Sequence, residues 1–330
     1  MYADVNGIKV SRIDINANYK NATKTMAFSH PYTTGFDVGT AVTGNITTGG
    51  VTTKMFYGNI KAIVRRRPEN TYEFTCHDIL TRAVEYWFTP PTVDGAWERR
   101  DITHINLVSE ILKESTITGA LFSNNWPAWN KYTNQATATF SFGVGEEPVS
   151  IKVAAAWDVI SWICTITGAH VYADNDGVVH LDLIWDEITP SDVASHTFTT
   201  GDAGTMKTLE YIRSDENLRN KVIVYGGDVL SSASVASPYL PAGFYKTAVI
   251  AHELIETQAD ADLTASFNLH RLNRLTESCI IEVLGKTDID IRQIVTIIDP
   301  RADVSGNWFV TQCKHSVSER GYVTRITGMR

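Results

Sequence analysis

Apolar and polar positions along the chain change period twice. Up to about residue 76 they alternate, in Lys9 to Ile15 and in Tyr72-Glu73-Phe74-Thr75-Cys76. Val51 to Val64 is rich in β-branched and aromatic residues. Period two marks half-buried strands. Thr33-Thr34-Gly35 and Thr47-Thr48-Gly49-Gly50 punctuate the strands as turns. Arg65-Arg66-Arg67, ahead of Pro68-Glu69-Asn70, reads as the solvated end of a hairpin, with a partner contact as the second reading.

The middle third is helical in period. His77 to Val84 predicts a short helix with Asp78 in its first turn, where a carboxylate meets the positive end of the dipole. Asn106 to Glu114 places Leu107, Ile111 and Leu112 at helical spacing. Val153 to Thr167 predicts a helix with Val153, Trp157, Ile160 and Cys164 on one stripe and Gly168 as its C-cap. His170 to Asp182 alternates about Asp174-Asn175-Asp176-Gly177, a hairpin turn because Asn, Asp and Gly tolerate positive φ. Ser115 to Gln135, with Trp126 and Trp129, takes no assignment.

Strands return in the last third. Asn220 to Gly227 predicts a buried strand ending in a turn, and Ser231 to Pro241 a mobile loop. Thr257 to Leu275 predicts a helix with Leu263, Phe267 and His270 on one side. Cys279 to Leu284, Ile294 to Ile298, Trp308 to Ser316 and Gly321 to Thr327 follow as strands. The expected fold is mainly β with an α+β insertion: β domains over 1–85 and 201–330 flank a helix-plus-hairpin domain over 86–200.

With 330 residues and 43% apolar side chains, the chain can build a core without disulfides or a metal. Its net charge of −8 disfavours tight or sequence-specific nucleic-acid binding, which needs clustered Lys and Arg. Val159 to Ala173, the best apolar window, contains His170 and is too short to span a membrane, so no insertion is expected. The N-terminus lacks a basic start and an apolar run, so no secretory signal is expected. Cys76, Cys164, Cys279 and Cys313 lie far apart and read as reduced, largely buried thiols.

Candidate chemistry is thin. His252-Glu253 lacks the second histidine of a zinc-protease helix. Asp174 to Gly177 lacks the closing Glu of a calcium loop. Gly143-Val144-Gly145 precedes the acidic pair Glu146-Glu147, which would repel phosphate. Glu146/Glu147 and Asp186/Glu187 read as solvated carboxylates before a glycosidase pair. Trp157 and Trp162 read as core aromatics before a sugar platform. No cofactor, metal or catalytic set is expected, and a structural role is.

Four segments, in order, resemble the baseplate hub proteins of tailed phages, the late-control D proteins and the N-terminal part of type VI secretion spike proteins. The first is Phe56-Tyr57-Gly58-Asn59-Ile60, then Tyr72 to Cys76 with Asp78 and Leu80. The second is Trp157 through Gly168 with the Asp176-Gly177 hairpin. The third is Glu216 to Gly226, with Asn220-Lys221-Val222-Ile223-Val224-Tyr225-Gly226 at its end. The fourth runs from Val283 and Gly285 through Gln293 to Val295, Trp308 and His315 to Gly321, Tyr322 and Thr324. The resemblance implies two tail-tube-like β-barrels and a homotrimer whose six barrels adapt a hexameric tail tube to a trimeric central spike around a conduit for DNA or effectors. It also implies contacts with the tape-measure C-terminus and baseplate wedge proteins, assembly in the host cytoplasm, and a place at the virion tail tip. Arg330 directly follows the last strand, so no fused spike, lysozyme or peptidase domain is expected. The rival readings are a tail-tip cell-wall hydrolase and a β-rich receptor- or carbohydrate-binding module.

Overall fold

The computed structural model describes residues 1–18, 21–31, 35–67, 70–89, 95–118, 141–142, 148–183, 193–201, 204–273 and 276–330. The chain opens with β1 (Tyr2–Val5), β2 (Ile8–Val10), β3 (Arg12–Asn18), β4 (Thr25–His30), β5 (Ala41–Thr48), β6 (Val51–Arg66) and β7 (Thr71–His77). Asn6-Gly7, both at positive φ, turns β1 into β2. Only Ser11 separates β2 from β3, so the two form one bent strand. Its first part pairs with β1 and its second with β4. The path β1-β5-β6-β7-β4-β3 therefore returns through β2 to β1, and the sheet closes on itself. Alternate residues Ile13, Ile15, Met26, Phe28, Phe56 and Phe74 fill the interior. Phe28 and Phe74 stack at 4.5 Å between ring centres.

The middle of the chain carries α1 (Thr81–Glu85), β8 (Trp97–Arg99), β9 (Ile102–Thr103), α2 (His104–Glu114), β10 (Ser141–Phe142), β11 (Val149–Ile151), α3 (Ala156–Thr167), β12 (Ala169–Ala173) and β13 (Val179–Leu183). Gly168 ends α3 in the left-handed region, as expected. Strands β14 (His196–Thr199), β15 (Met206–Ser214), β16 (Lys221–Gly226), β17 (Val229–Ser234) and β18 (Thr247–Ala251) follow. The chain closes with α4 (Gln258–Leu272), β19 (Thr276–Leu284), β20 (Ile294–Asp299), β21 (Val304–Ser318) and β22 (Gly321–Met329). The second β unit has the order β14-β20-β21-β22-β19-β15 around Phe198, Ile281, Val295, Ile297, Trp308 and Ile326.

Gln312 to Val317 of β21 pair with Ile13 to Asn18 of β3, which fuses both β units into one thirteen-stranded sheet. The fold is mainly β with few helices, as the alternating pattern predicts. Its cores divide the chain differently from boundaries at 85/86 and 200/201. β14 packs in the second β unit, while Val222, Val224, Ala261 and Ala265 share one core with Ile111, Ile160 and Ile163 of the middle segment. The physical reason is the small-residue face of α4, where Thr264 Oγ1 donates to the Ile166 carbonyl at 3.2 Å.

Four local expectations change. α3 buries Ala156, Val159, Ile160, Ile163 and Ile166, whereas Val153 precedes the helix and is 67% exposed. α4 buries Ala261, Thr264, Ala265 and Asn268 beside Phe267, a stripe too polar to read as apolar from sequence. Ser231 to Ser234, expected in a loop, belong to β17, where Ser231 Oγ donates to Asp262 of α4 at 2.6 Å. Asp78 lies before α1 and turns its carboxylate to other main-chain groups. Ser115–Ile117 complete the end of α2, and Ser141–Phe142 form β10. Trp126, Trp129, Gly143 to Glu147 and Asp186/Glu187 lie outside the described residues.

Candidate functional site

Parts of the chain distant in sequence meet at a joint where the β12–β13 hairpin tip reaches both β units. Lys24, just before β4, is buried along its whole side chain. Its ammonium donates to Asn175 Oδ1 at 2.5 Å in the hairpin tip and to Asp290 Oδ2 at 2.7 Å in the second unit. One side chain thus ties three parts of the chain, 151 and 266 residues away. Asp176 of the same tip pairs with Lys54 of β6 at 2.9 Å. A Cβ at Gly177, whose φ is +81°, would overlap the Tyr57 ring, so glycine lets the tip seat on β6. On the other side the Arg292 guanidinium lies 4.2 Å from the Tyr172 ring centre. A small cleft of about 190 Å³ remains here, lined by Asn18, Asn21, Lys24, Asp78, His170 and Asp290 among others.

Asp78 anchors the joint from below. Its carboxylate accepts from the Lys24 N–H at 2.7 Å and the Leu80 N–H at 3.1 Å. Burial nevertheless pushes it up to about 7, against the pull of those donors and of the Lys24 ammonium. His315 of β21 is buried near by. Its Nε2–H donates to the Ile289 carbonyl at 3.0 Å, which leaves Nδ1 to accept from Tyr322 O–H at 2.8 Å. Burial lowers the imidazole to about 4, so it is neutral at pH 7. Thr324 Oγ1 accepts from the Lys286 N–H at 3.0 Å beside it.

These two groups oppose each other in pH dependence. Asp78 binds its proton more tightly folded than unfolded, so its contribution is full below about pH 4 and is lost as pH rises towards 7. His315 binds its proton more tightly unfolded, so its contribution is full above 6.5 and is lost as pH falls towards 4. Asp78→Asn is therefore expected to leave the histidine slope uncompensated. Urea midpoints at pH 4.5, 5.5, 6.5 and 8 should fall more steeply with acidification in the variant than in the wild type. Equal slopes would refute the assignment.

The motif residues of the sequence reading do not gather in one place. Phe56 is fully buried in the first unit, and Gly58 has no room for a Cβ beside the His77 carbonyl. Tyr72 is half-buried under the Arg65 guanidinium. Asn220 clamps the chain ahead of β18, accepting from Lys246 N–H at 2.8 Å and donating to the Phe244 carbonyl at 3.0 Å. Val222 is core, Tyr225 faces outward, and Gly226 makes room for the His252 and Ile255 carbonyls. Trp308 centres the second unit. Gly285, His315, Tyr322 and Thr324 do come together: Gly285 leaves space for the Tyr322 ring, whose hydroxyl holds His315. Gly321, at φ +119°, makes the β21–β22 turn. Lys24, Asn175 and Asp290 carry no sequence signal, since each is one polar residue in a turn-like stretch.

The chemistry available is that of a joint. Burial pushes the Cys76 and Cys279 thiols up to about 12, far from a reactive thiolate. Trp162, expected in the core, is 40% exposed and lies tilted against the His252 ring. Among the described residues no group of three His, Cys, Asp or Glu is placed to hold a metal ion, and no helix is long and apolar enough to cross a membrane.

No protein-family model and no curated protein matches the sequence. Solved structures do match in shape. A tail protein from Neisseria meningitidis MC58 superimposes with a TM-score of 0.67 at 13% identity, over 100% of this chain and 95% of the other. The 43 kDa tail protein of prophage MuSo2 from Shewanella oneidensis gives 0.63 at 13% identity, over 99% and 96%. The E. coli c3393 protein, a type VI secretion component described as similar to T4 tail proteins gp27 and gp5, gives 0.55 at 9% identity, over 99% and 76%. Agreement over the whole length, with both β units and the middle segment included, makes this chain a bearer of the phage tail protein fold that its sequence resembles.

Proposed function

We propose that the chain is a structural hub of a phage tail or a related injection particle. Three copies form a ring in which six β units face a hexameric tail tube, while threefold symmetry meets a trimeric central spike. The observation that carries this reading is the fusion of two β units into one sheet through β3 and β21. That fusion is braced by the Lys24 joint. A ring that matches sixfold and threefold neighbours needs its two units held at one fixed angle, and main-chain ladders resist bending more than a flexible linker would. The whole-length likeness to tail proteins supports the same setting.

In this role the protein acts by shape and contact and not by catalysis. It sits at the tail tip of the virion, after assembly in the host cytoplasm, and touches the tube ring, the spike, the tape-measure C-terminus and wedge proteins. Part of its net charge of −8, carried by each copy, faces the lumen and keeps passing DNA from adhering. Light scattering of the purified chain, alone and with its tube protein, tests the reading. The expected mass is three times 36.6 kDa, with six similar lobes in images of the ring. A single-chain particle under both conditions would overturn it.

A further inference from the structure

The small sheet β17-β16-β18 has one covered face and one covered edge. α4 packs on the face that holds Val222 and Val224. The β17 edge is met by α4 as well, where Gln258 Nε2 donates to the Leu230 carbonyl at 3.0 Å. The β18 edge is different. Lys221 N–H donates to the Lys246 carbonyl, and His252 N–H to the Tyr225 carbonyl. In a parallel ladder that phase turns the main-chain groups of residues 246, 248, 250 and 252 towards β16. Thr247, Val249 and Ala251 therefore present their N–H and C=O groups outward, where no described residue pairs with them. Their side chains are exposed too, Val249 by 59%. No lysine, proline or bulge blunts this edge, the usual protections of a free strand.

The surroundings narrow the choice of occupant. On the outward face Tyr225 lies between Leu230 and Ala251, and Ile223 between Ser232 and Val249, with Lys221 the one charged side chain on the three strands' outward positions. Directly past the end of β18 the surface opens into a groove of about 850 Å³. Among the described lining residues, Asp228 and Glu253 face a single lysine, Lys152, with Trp162 on the wall. The His252 ring lies tilted against Trp162, 4.8 Å between ring centres, and burial lowers its pKa, so it adds no positive charge there at pH 7.

We infer that the β18 edge and this acidic groove take an extended strand of a second tail protein, small or apolar beside β18 and basic where it enters the groove. Main-chain pairing supplies attachment, and the uncharged rows select alternate small or apolar side chains. The carboxylates and the Trp162 face select Lys or Arg. A second copy of this chain fits less well. Its own apolar-then-basic strand, β6, is already laddered to β7, and Arg65 and Arg66 are bonded to Asn70 and Glu73. The inference rests on the hub reading only in naming the partner a tail protein.

Peptide binding to the full chain tests it independently of ring formation. The probes are Asn-Ile-Lys-Ala-Ile-Val-Arg-Arg-Arg, the same apolar run with the arginines at its other end, and the first peptide with three glutamates replacing the arginines. Fluorescence anisotropy should show binding of an arginine peptide, weakened by salt, and none of the glutamate peptide. Val249→Pro removes an outward N–H that β16 does not use, and should weaken binding at least about tenfold. Asp228→Asn with Glu253→Gln should weaken it as well and flatten the salt dependence, which keeps the test sound if the proline variant misfolds. Failure of both arginine peptides to bind, or unchanged binding in every variant, would overturn the inference while leaving the hub intact. A concentration-dependent mass that Val249→Pro abolishes would hand the edge to a second copy and overturn it too.

Discussion

Lys24→Met is expected to lower the unfolding free energy by about 2–4 kcal/mol, read as a drop in the urea midpoint. Breaking a buried ion pair from one side costs roughly 3–5 kcal/mol because the partner charge stays behind. Asp290 is 28% exposed and recovers some hydration, which brings the figure down. Asn175 also loses its donor, which leaves the hairpin tip held to the first β unit only by the exposed Asp176–Lys54 pair and the Gly177–Tyr57 contact among the contacts described above. The double variant Lys24→Met with Asp290→Leu should regain part of the loss, since an apolar pair of similar volume is often neutral where a lone charge is not. Equal losses in single and double variants would show that the ion pair is not what braces the joint. If the chain forms the proposed ring, the single variant should also lose it before it unfolds, because Lys24 ties the two β units together.

Trp308→Ala is expected to cost about 3–5 kcal/mol, the range for removing a buried Trp or Phe. Trp308 is fully buried, packs edge-on to Tyr211 at 6.1 Å and lies under the Arg330 guanidinium at 4.6 Å. Its indole N–H finds no acceptor among the described residues, so the side chain contributes bulk and ring contacts but no hydrogen bond. Trp308→Phe should therefore lose less than half as much: it gives up volume but also removes an unsatisfied donor. Circular-dichroism melts of both variants decide it. A phenylalanine variant as weak as the alanine one would mean that the indole N–H is bonded after all.

The two effects differ in how visible they were beforehand. Trp308 opens a run that announces a strand, although Trp308 to Thr311 are all buried and do not alternate, so the strand was legible but not which of its faces is core. The first β unit, the β12–β13 hairpin with its Asp-Asn-Asp-Gly turn, and the four closing strands were legible for the same reason. Helix faces were less so. Val153 kept the 3.6-residue rhythm but lies ahead of the Ala155 N-cap, and α4 hides Thr264 and Asn268 because their hydroxyl and amide bond back to main-chain carbonyls. β17 looked like a loop because serine is poor strand material in general, yet a close-packed helix wants small side chains beneath it.

What the amino-acid order determined by itself was the mainly β character and the position of most strands. Those properties depend on neighbours one to four residues away. What only the tertiary structure decided was the sharing of one core by the middle segment and β16 to α4, the β3–β21 ladder, and the meeting of Lys24 with Asn175 and Asp290. Contacts spanning 151 and 266 residues leave no periodic trace, because the closure that creates them is driven by burial of whole faces and not by any local preference.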